Sequence, residues 1–221
     1  MEQARLLISS RNYSSWSLRG FLLARLAGID FTVETVDLDD PAARAELLLQ
    51  ASSIRIPCLL HDGLRVWDTI AIAEYLNEIR PEAGMLPAEK TARARCRSIS
   101  GEMHSGFQAL RASLPMNLRA RRPGFRIWSG PRADIDRVLQ IWQDSLGHWG
   151  GPWLFGERPS IADAMYAPVV SRFLTYDVKL ERACTAYART IMEWAPMAEW
   201  AAAAQEEPEP PIHELEVEAE F

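Results

Sequence analysis

Arg55-Ile56-Pro57-Cys58-Leu59-Leu60-His61-Asp62-Gly63-Leu64-Arg65-Val66-Trp67-Asp68-Thr69-Ile70-Ala71-Ile72-Ala73-Glu74-Tyr75-Leu76 is the stretch whose reading decides the fold. Two short apolar runs, 56–60 and 64–67, flank Asp62-Gly63, a pair suited to a two-residue turn with positive φ at both positions. The pattern is that of a tight β-hairpin. Asp68-Thr69 ends the second run and can cap a helix. In that helix Ile70, Ala73, Leu76 and Ile79 share one face, and Pro81 follows the stop.

Towards the N-terminus, residues 5–9 read as a short buried strand. The polar cluster Ser9-Ser10-Arg11-Asn12-Tyr13-Ser14-Ser15-Trp16 breaks the apolar pattern and offers several N-caps. Leu18, Phe21, Leu22 and Leu26 then recur at helical spacing, with Arg25 at the negative helix end and Gly28 at C′. A second strand is expected over 31–38, and Asp39-Asp40-Pro41 starts a short helix running to about 50. The first eighty residues therefore read strand, helix, strand, helix, hairpin, helix.

Beyond them, Pro81, Gly84 and Pro87 mark a connection. The expected organisation is an α/β domain over 1–82, a linker over 83–90, an all-α domain over 91–205 and an acidic, proline-rich tail over 206–221. Helices are expected over 91–114, 131–149, 161–175, 180–193 and 197–205. Ile135, Val138, Leu139, Trp142 and Leu146 make a core stripe on the second of these. Ser160-Ile161-Ala162-Asp163 has the form of a capping box, a folding device. Alternation of Leu215, Val217, Ala219 and Phe221 would let the tail lie extended against the body.

Composition narrows the function. With 221 residues and 48% hydrophobic content the chain can bury a core without disulfides. Its net charge of −6 argues against a nucleic-acid partner, which needs a basic face. No apolar run approaches the roughly 20 residues of a membrane span, and the start does not read as a signal peptide, so no membrane partner and a cytoplasmic location are expected. The three cysteines, Cys58, Cys96 and Cys184, form no CxxC and read as reduced, buried thiols. The four histidines have no metal-ligand spacing, so no metal is expected. Arg119, Arg121, Arg122 and Arg126 read as a solvated basic loop.

The βαβ unit followed by a hairpin with Pro57 at its start resembles the thioredoxin superfamily, and the all-helical second half narrows the resemblance to the glutathione transferases. Three segments carry it in order: 12–19, with hydroxyls at a helix start as in zeta-like and other bacterial branches; Arg55-Ile56-Pro57 with 67–76; and 155–163. The resemblance implies a thioredoxin-like N-terminal domain plus an all-α C-terminal domain. It implies glutathione as co-substrate, attack of its thiolate on a small electrophilic apolar substrate in a detoxifying transfer, and a homodimer. A cis Ile56-Pro57 bond would present the Ile56 backbone to the tripeptide. Asp68 and Thr69, with Arg55 nearby, would receive its γ-glutamyl end at a helix N-terminus.

Thiol activation would fall to Ser14 or Ser15, with Asn12 assisting or substituting, because Arg19 aligned with the family's helix-1 arginine puts the usual serine position on Asn12. Met103, Phe107 and Leu110 would line the acceptor pocket. Two further readings stay open. One is a glutathione-binding member with little turnover. The other is a zeta-like isomerase, from whose Ser-Ser-Cys start Tyr13-Ser14-Ser15-Trp16 departs.

Overall fold

Alternating side chains set the sheet. In β1 (Ala4–Ile8), Ala4, Leu6 and Ile8 enter the main core, while Leu7 faces the other way with Val36 and Cys58. The computed structural model describes residues 3–36 and 55–208. β1 pairs in parallel with β2 (Phe31–Thr35) and antiparallel with β3 (Cys58–His61), which pairs antiparallel with β4 (Leu64–Trp67). The strand order is β2-β1-β3-β4. Asp62 and Gly63 turn the hairpin with φ of 49° and 75°, as their residue types suggest. The helix expected over 41–50 lies outside the described residues.

Helix α1 (Ser15–Ala27) crosses the sheet and ends on Gly28 at φ 66°. It comes unusually close to the hairpin's first residue: a β-carbon on Gly20 would lie 2.8 Å from Pro57 Cβ. Only glycine lets the helix sit there. Helix α2 (Thr69–Ile79) packs beside α1 and is followed by a 3₁₀ turn at Pro81–Ala83.

The connection after that turn is not a bare linker. Met85 is fully buried, and its carbonyl accepts the Ile161 amide at 2.9 Å. One apolar core therefore runs from the sheet into the helices.

The helical half holds α3 (Lys90–Ser105), α4 (Gln108–Ser113), α5 (Arg132–Trp149), α6 (Ile161–Thr175), α7 (Arg182–Glu193) and α8 (Ala195–Gln205). Nearly every α6 side chain is buried, so this helix is the axis around which the others pack. Its capping box is present, and the buried Asp163 does more than cap. Its carboxylate accepts from Ser160 N and Oγ (both 2.8 Å), Leu154 N (3.1 Å) and Tyr187 Oη (3.2 Å).

The single helix expected over 91–114 is two. Gly106 is extended and Phe107 takes φ 61°, and the Arg111 guanidinium donates to the freed carbonyls of His104 (2.9 Å) and Gly106 (2.8 Å). Helical spacing of apolar residues continues across the break, which is why periodicity alone joins the two. Among the described residues no helix is long and apolar enough to cross a membrane.

Candidate active site

Three chain segments that the sequence separates come together at one end of the sheet. The first is the turn into α1. Ser14 is its N-cap, and its Oγ accepts the Ser17 amide at 3.2 Å. A hydroxyl that accepts along the helix keeps its own proton to donate outward. The Ser15 hydroxyl instead turns back to the Arg19 guanidinium at 3.5 Å. The first amides of the helix have no intrahelical acceptor, so Ser15 N and Trp16 N add positive potential at the same end.

The second segment is Ile56-Pro57, joined by a cis bond. Pro57 is buried against Gly20, Ile56 is half-buried and Arg55 is exposed. Among the described residues none pairs with the Ile56 backbone, although β3 begins two residues later. Without a partner among the described residues, its N–H and C=O suit strand-like pairing with an extended ligand.

The third is the start of α2. Asp68 caps it, Oδ1 accepting Ile70 N at 2.8 Å and Ala71 N at 3.4 Å. Asp68 holds φ 74°, ψ 132°, a region L-residues rarely occupy and one that costs ~1–3 kcal/mol. The hydroxyls concerned are well covered: Ser14 is 7%, Ser15 4% and Thr69 1% exposed.

A histidine that the sequence did not single out ties the first and third segments together. His104, on the last turn of α3, places Nε2 3.1 Å from Asp68 Oδ2 and Nδ1 3.4 Å from Thr69 Oγ1, and its ring meets Trp16 edge-on at 5.2 Å. Trp16 also lies beneath two guanidiniums, Arg19 at 4.6 Å and Arg111 at 4.8 Å from its ring centre. Burial pulls the Arg111 guanidinium down from its ordinary value, and the Asp134 carboxylate opposes this. Arg19 itself donates to Met165 O of α6 at 2.9 Å. His104, Trp16 and Arg111 escape a reading by motif because they lie far apart in sequence and carry no spacing signature.

Asn12 stands apart from the serines. It is fully buried, its Nδ2 donates to Asn117 Oδ1 at 3.2 Å, and its Oδ1 accepts Arg119 N at 3.1 Å. Its amide is a strut between the β1–α1 turn and the 117–119 segment. Arg119 is not a solvated loop residue either: it is half-buried and donates to Ala204 O at 2.7 Å, whereas Arg121, Arg122 and Arg126 are exposed. Met103, Phe107 and Leu110 are all buried in the core, and His104 and Arg111 of α3–α4 contact the two helix starts through Asp68, Thr69 and Trp16. The apolar spacing that marked those three residues marks interior packing equally well. Two cavities lie elsewhere, one of about 620 Å³ between α5 and α7 and one of about 140 Å³ beside the hairpin.

Comparison with known proteins assigns both halves of the chain to one family. The profile of the glutathione S-transferase N-terminal domain matches residues 13–79, and that of the glutathione S-transferase C-terminal domain matches residues 132–207. Maleylacetoacetate isomerase of Rhizobium meliloti (strain 1021) is 30% identical over 175 residues, 76% of this chain and 81% of that one. The crystal structure of maleylacetoacetate isomerase from Anaeromyxobacter dehalogenans 2CP-1, with bound dicarboxyethyl glutathione and citrate, is 25% identical with a TM-score of 0.67, covering 94% of this chain and 98% of that one. A Burkholderia glutathione transferase homolog with bound glutathione has the same fold, with a TM-score of 0.71 at 21% identity, covering 93% of this chain and 100% of that one. With both halves matched in order around one composite site, the chain belongs to the glutathione S-transferase family.

Proposed function

We propose that this protein is a glutathione-dependent enzyme that binds the tripeptide across the Ile56 backbone and the start of α2, and raises the thiolate fraction of its sulfur at the start of α1. The observation that carries the reading is the convergence of two helix N-termini, bridged by His104 and Trp16, beside an Ile56 backbone with no partner among the described residues. Each helix start is an anion site. The α2 start, with Thr69, suits the γ-glutamyl carboxylate, and Asp68 suits its ammonium.

The α1 start suits a thiolate, whose pKa falls when a hydroxyl and amides donate to it. Ser14 and Ser15 each accept a hydrogen bond and each keep a proton to give; Ser14 is taken as the donor because it caps the helix start, whereas Ser15 is turned towards Arg19, and Asn12 acts at one remove as a strut. Glutathione supplies the nucleophilic sulfur; the chain orients it and holds its charge.

Transfer to a small electrophile is the primary reading. A second, isomerisation about an activated carbon–carbon double bond, is favoured by the named activity of the Rhizobium and Anaeromyxobacter relatives. A sulfur that stays attached gives a conjugate; one that leaves after bond rotation gives an isomer. A detoxifying role belongs to the first outcome.

A homodimer is part of the reading, supported by Leu64 and Trp67 standing 52% and 41% exposed on edge strand β4. A reducing, cytoplasmic setting is supported by three buried free thiols.

Calorimetric titration with glutathione tests binding, and absence of heat refutes it. Ser14→Ala lowers kcat/KM with an aryl halide about 100-fold, as loss of one anion-stabilising donor does, while Ser15→Ala loses less than about threefold. Equal losses in the two variants would overturn the assignment of Ser14.

A further inference from the structure

The turn between β1 and α1 satisfies its backbone almost entirely with groups from distant parts of the chain. Of its amides, Arg11 N donates to Glu207 Oε1 at 2.7 Å and Asn12 N to Glu207 Oε2 at 2.8 Å. Tyr13 N donates to Ser10 Oγ at 3.0 Å, and that hydroxyl donates on to Glu207 Oε2 at 2.8 Å. Of its carbonyls, Arg11 O accepts Trp200 Nε1 at 2.8 Å and Asn12 O accepts Leu118 N at 3.4 Å. Successive amides aimed at one point form an anion concavity, and here a carboxylate from just beyond α8 fills it. Arg119 holds that carboxylate's segment in place, donating to Ala204 O and to Glu207 O.

From this geometry we infer that Glu207 is a positioning residue for the reaction: its carboxylate, seated on the amides of Arg11 and Asn12, fixes the turn that aims Ser14 and the first α1 amides at the glutathione sulfur. The inference rests on the proposed thiolate site. Backbone polar groups need partners, and a turn whose partners are removed takes another conformation. Ser14 lies two residues beyond the last amide that Glu207 holds, so its hydroxyl direction follows the turn. Because the concavity is filled by the protein's own carboxylate, the thiolate is left to Ser14 and the helix amides.

The test is a graded series on the full chain. Thiolate absorbance of the glutathione complex against pH gives the thiol midpoint, and turnover of an aryl halide gives kcat and KM. Glu207→Ala raises the midpoint by about one pH unit. The same variant lowers kcat at neutral pH about tenfold, with KM for glutathione within about twofold. Glu207→Gln, which keeps one acceptor oxygen, falls between it and the parent. Added acetate, a carboxylate small enough for the vacated concavity, restores Glu207→Ala and leaves the parent unchanged.

A Glu207→Ala protein with parental midpoint and kcat, whatever its unfolding temperature, would overturn the inference. Should Glu207→Ala not fold, an unshifted midpoint and kcat in Glu207→Gln would do so. A parent that binds no glutathione refutes the thiolate site itself. A parent that binds and activates it, beside a flat Glu207 series, refutes only the role of Glu207.

Discussion

At the scale of single residues the site depends on which way a hydroxyl or ring nitrogen points. His104 illustrates this. With Nε2 donating to Asp68 Oδ2, Nδ1 is left to accept from the Thr69 hydroxyl, so the ring ties together the two residues that open α2. On the proposed site, His104 is expected to act on glutathione binding rather than on the sulfur. His104→Ala raises KM for glutathione roughly three- to tenfold, the worth of about one charge-assisted hydrogen bond, and changes kcat less than twofold. Steady-state kinetics with glutathione as the varied substrate checks this, and a fall in kcat at unchanged KM would contradict it. Ser14 and Ser15 are equivalent as letters in the sequence. They differ only because one hydroxyl accepts from Ser17 N and the other faces Arg19, a distinction no spacing rule carries.

At the scale of elements, caps and close approaches do more than propensity. The box Ser160–Asp163 is legible as a helix start, and a surface cap of that kind is worth ~0.5–2 kcal/mol. Burial changes its weight. Desolvation pushes the Asp163 carboxyl up from its ordinary value, and the four donors around it pull the other way. Asp163→Ala strands the buried Leu154 N–H, Ser160 N–H and Tyr187 O–H, so it costs at least ~3 kcal/mol, more than a lost cap. Denaturant unfolding reads the difference, and a loss under about 1 kcal/mol would reduce Asp163 to a simple cap. The hairpin and the α2 start were equally legible, because Asp-Gly suits a tight turn and the Asp68 side chain can cap a helix, although the φ of 74° that Asp68 takes is no preference of its type. The break at Gly106-Phe107 was not, since its stabilising partner Arg111 lies four residues beyond Phe107 and acts by folding back on the carbonyls.

The whole molecule shares one core across both halves, and its thiols report on it. Cys96 is fully buried, and burial pushes its thiol from 9.0 to about 11; Cys184 is pushed to about 11 as well. For such an acid the folded state holds its proton more tightly than the unfolded chain does. The contribution to stability is thus fully present below about pH 9 and is lost as pH rises towards about 11. Two outcomes follow. The native protein leaves Cys96 and Cys184 unreactive to a thiol reagent at pH 8, and unfolding midpoints decline between pH 9 and 11. Rapid labelling of either thiol in the native state would show the core to be open there.

Local sequence alone determined the order of strands and helices that the structure describes, apart from the break at Gly106-Phe107, together with the hairpin, the capping box and the residues that cap α1 and α2, because each follows from a few neighbouring residues. Tertiary structure decided that His104 and Trp16 join the two helix starts, that Asn12 is a strut, that Met103, Phe107 and Leu110 are interior, and that Glu207 fills the turn before α1. The physical reason is common to all of these. Each is a contact between groups tens to nearly two hundred positions apart, and only packing the helices onto the sheet fixes which groups meet.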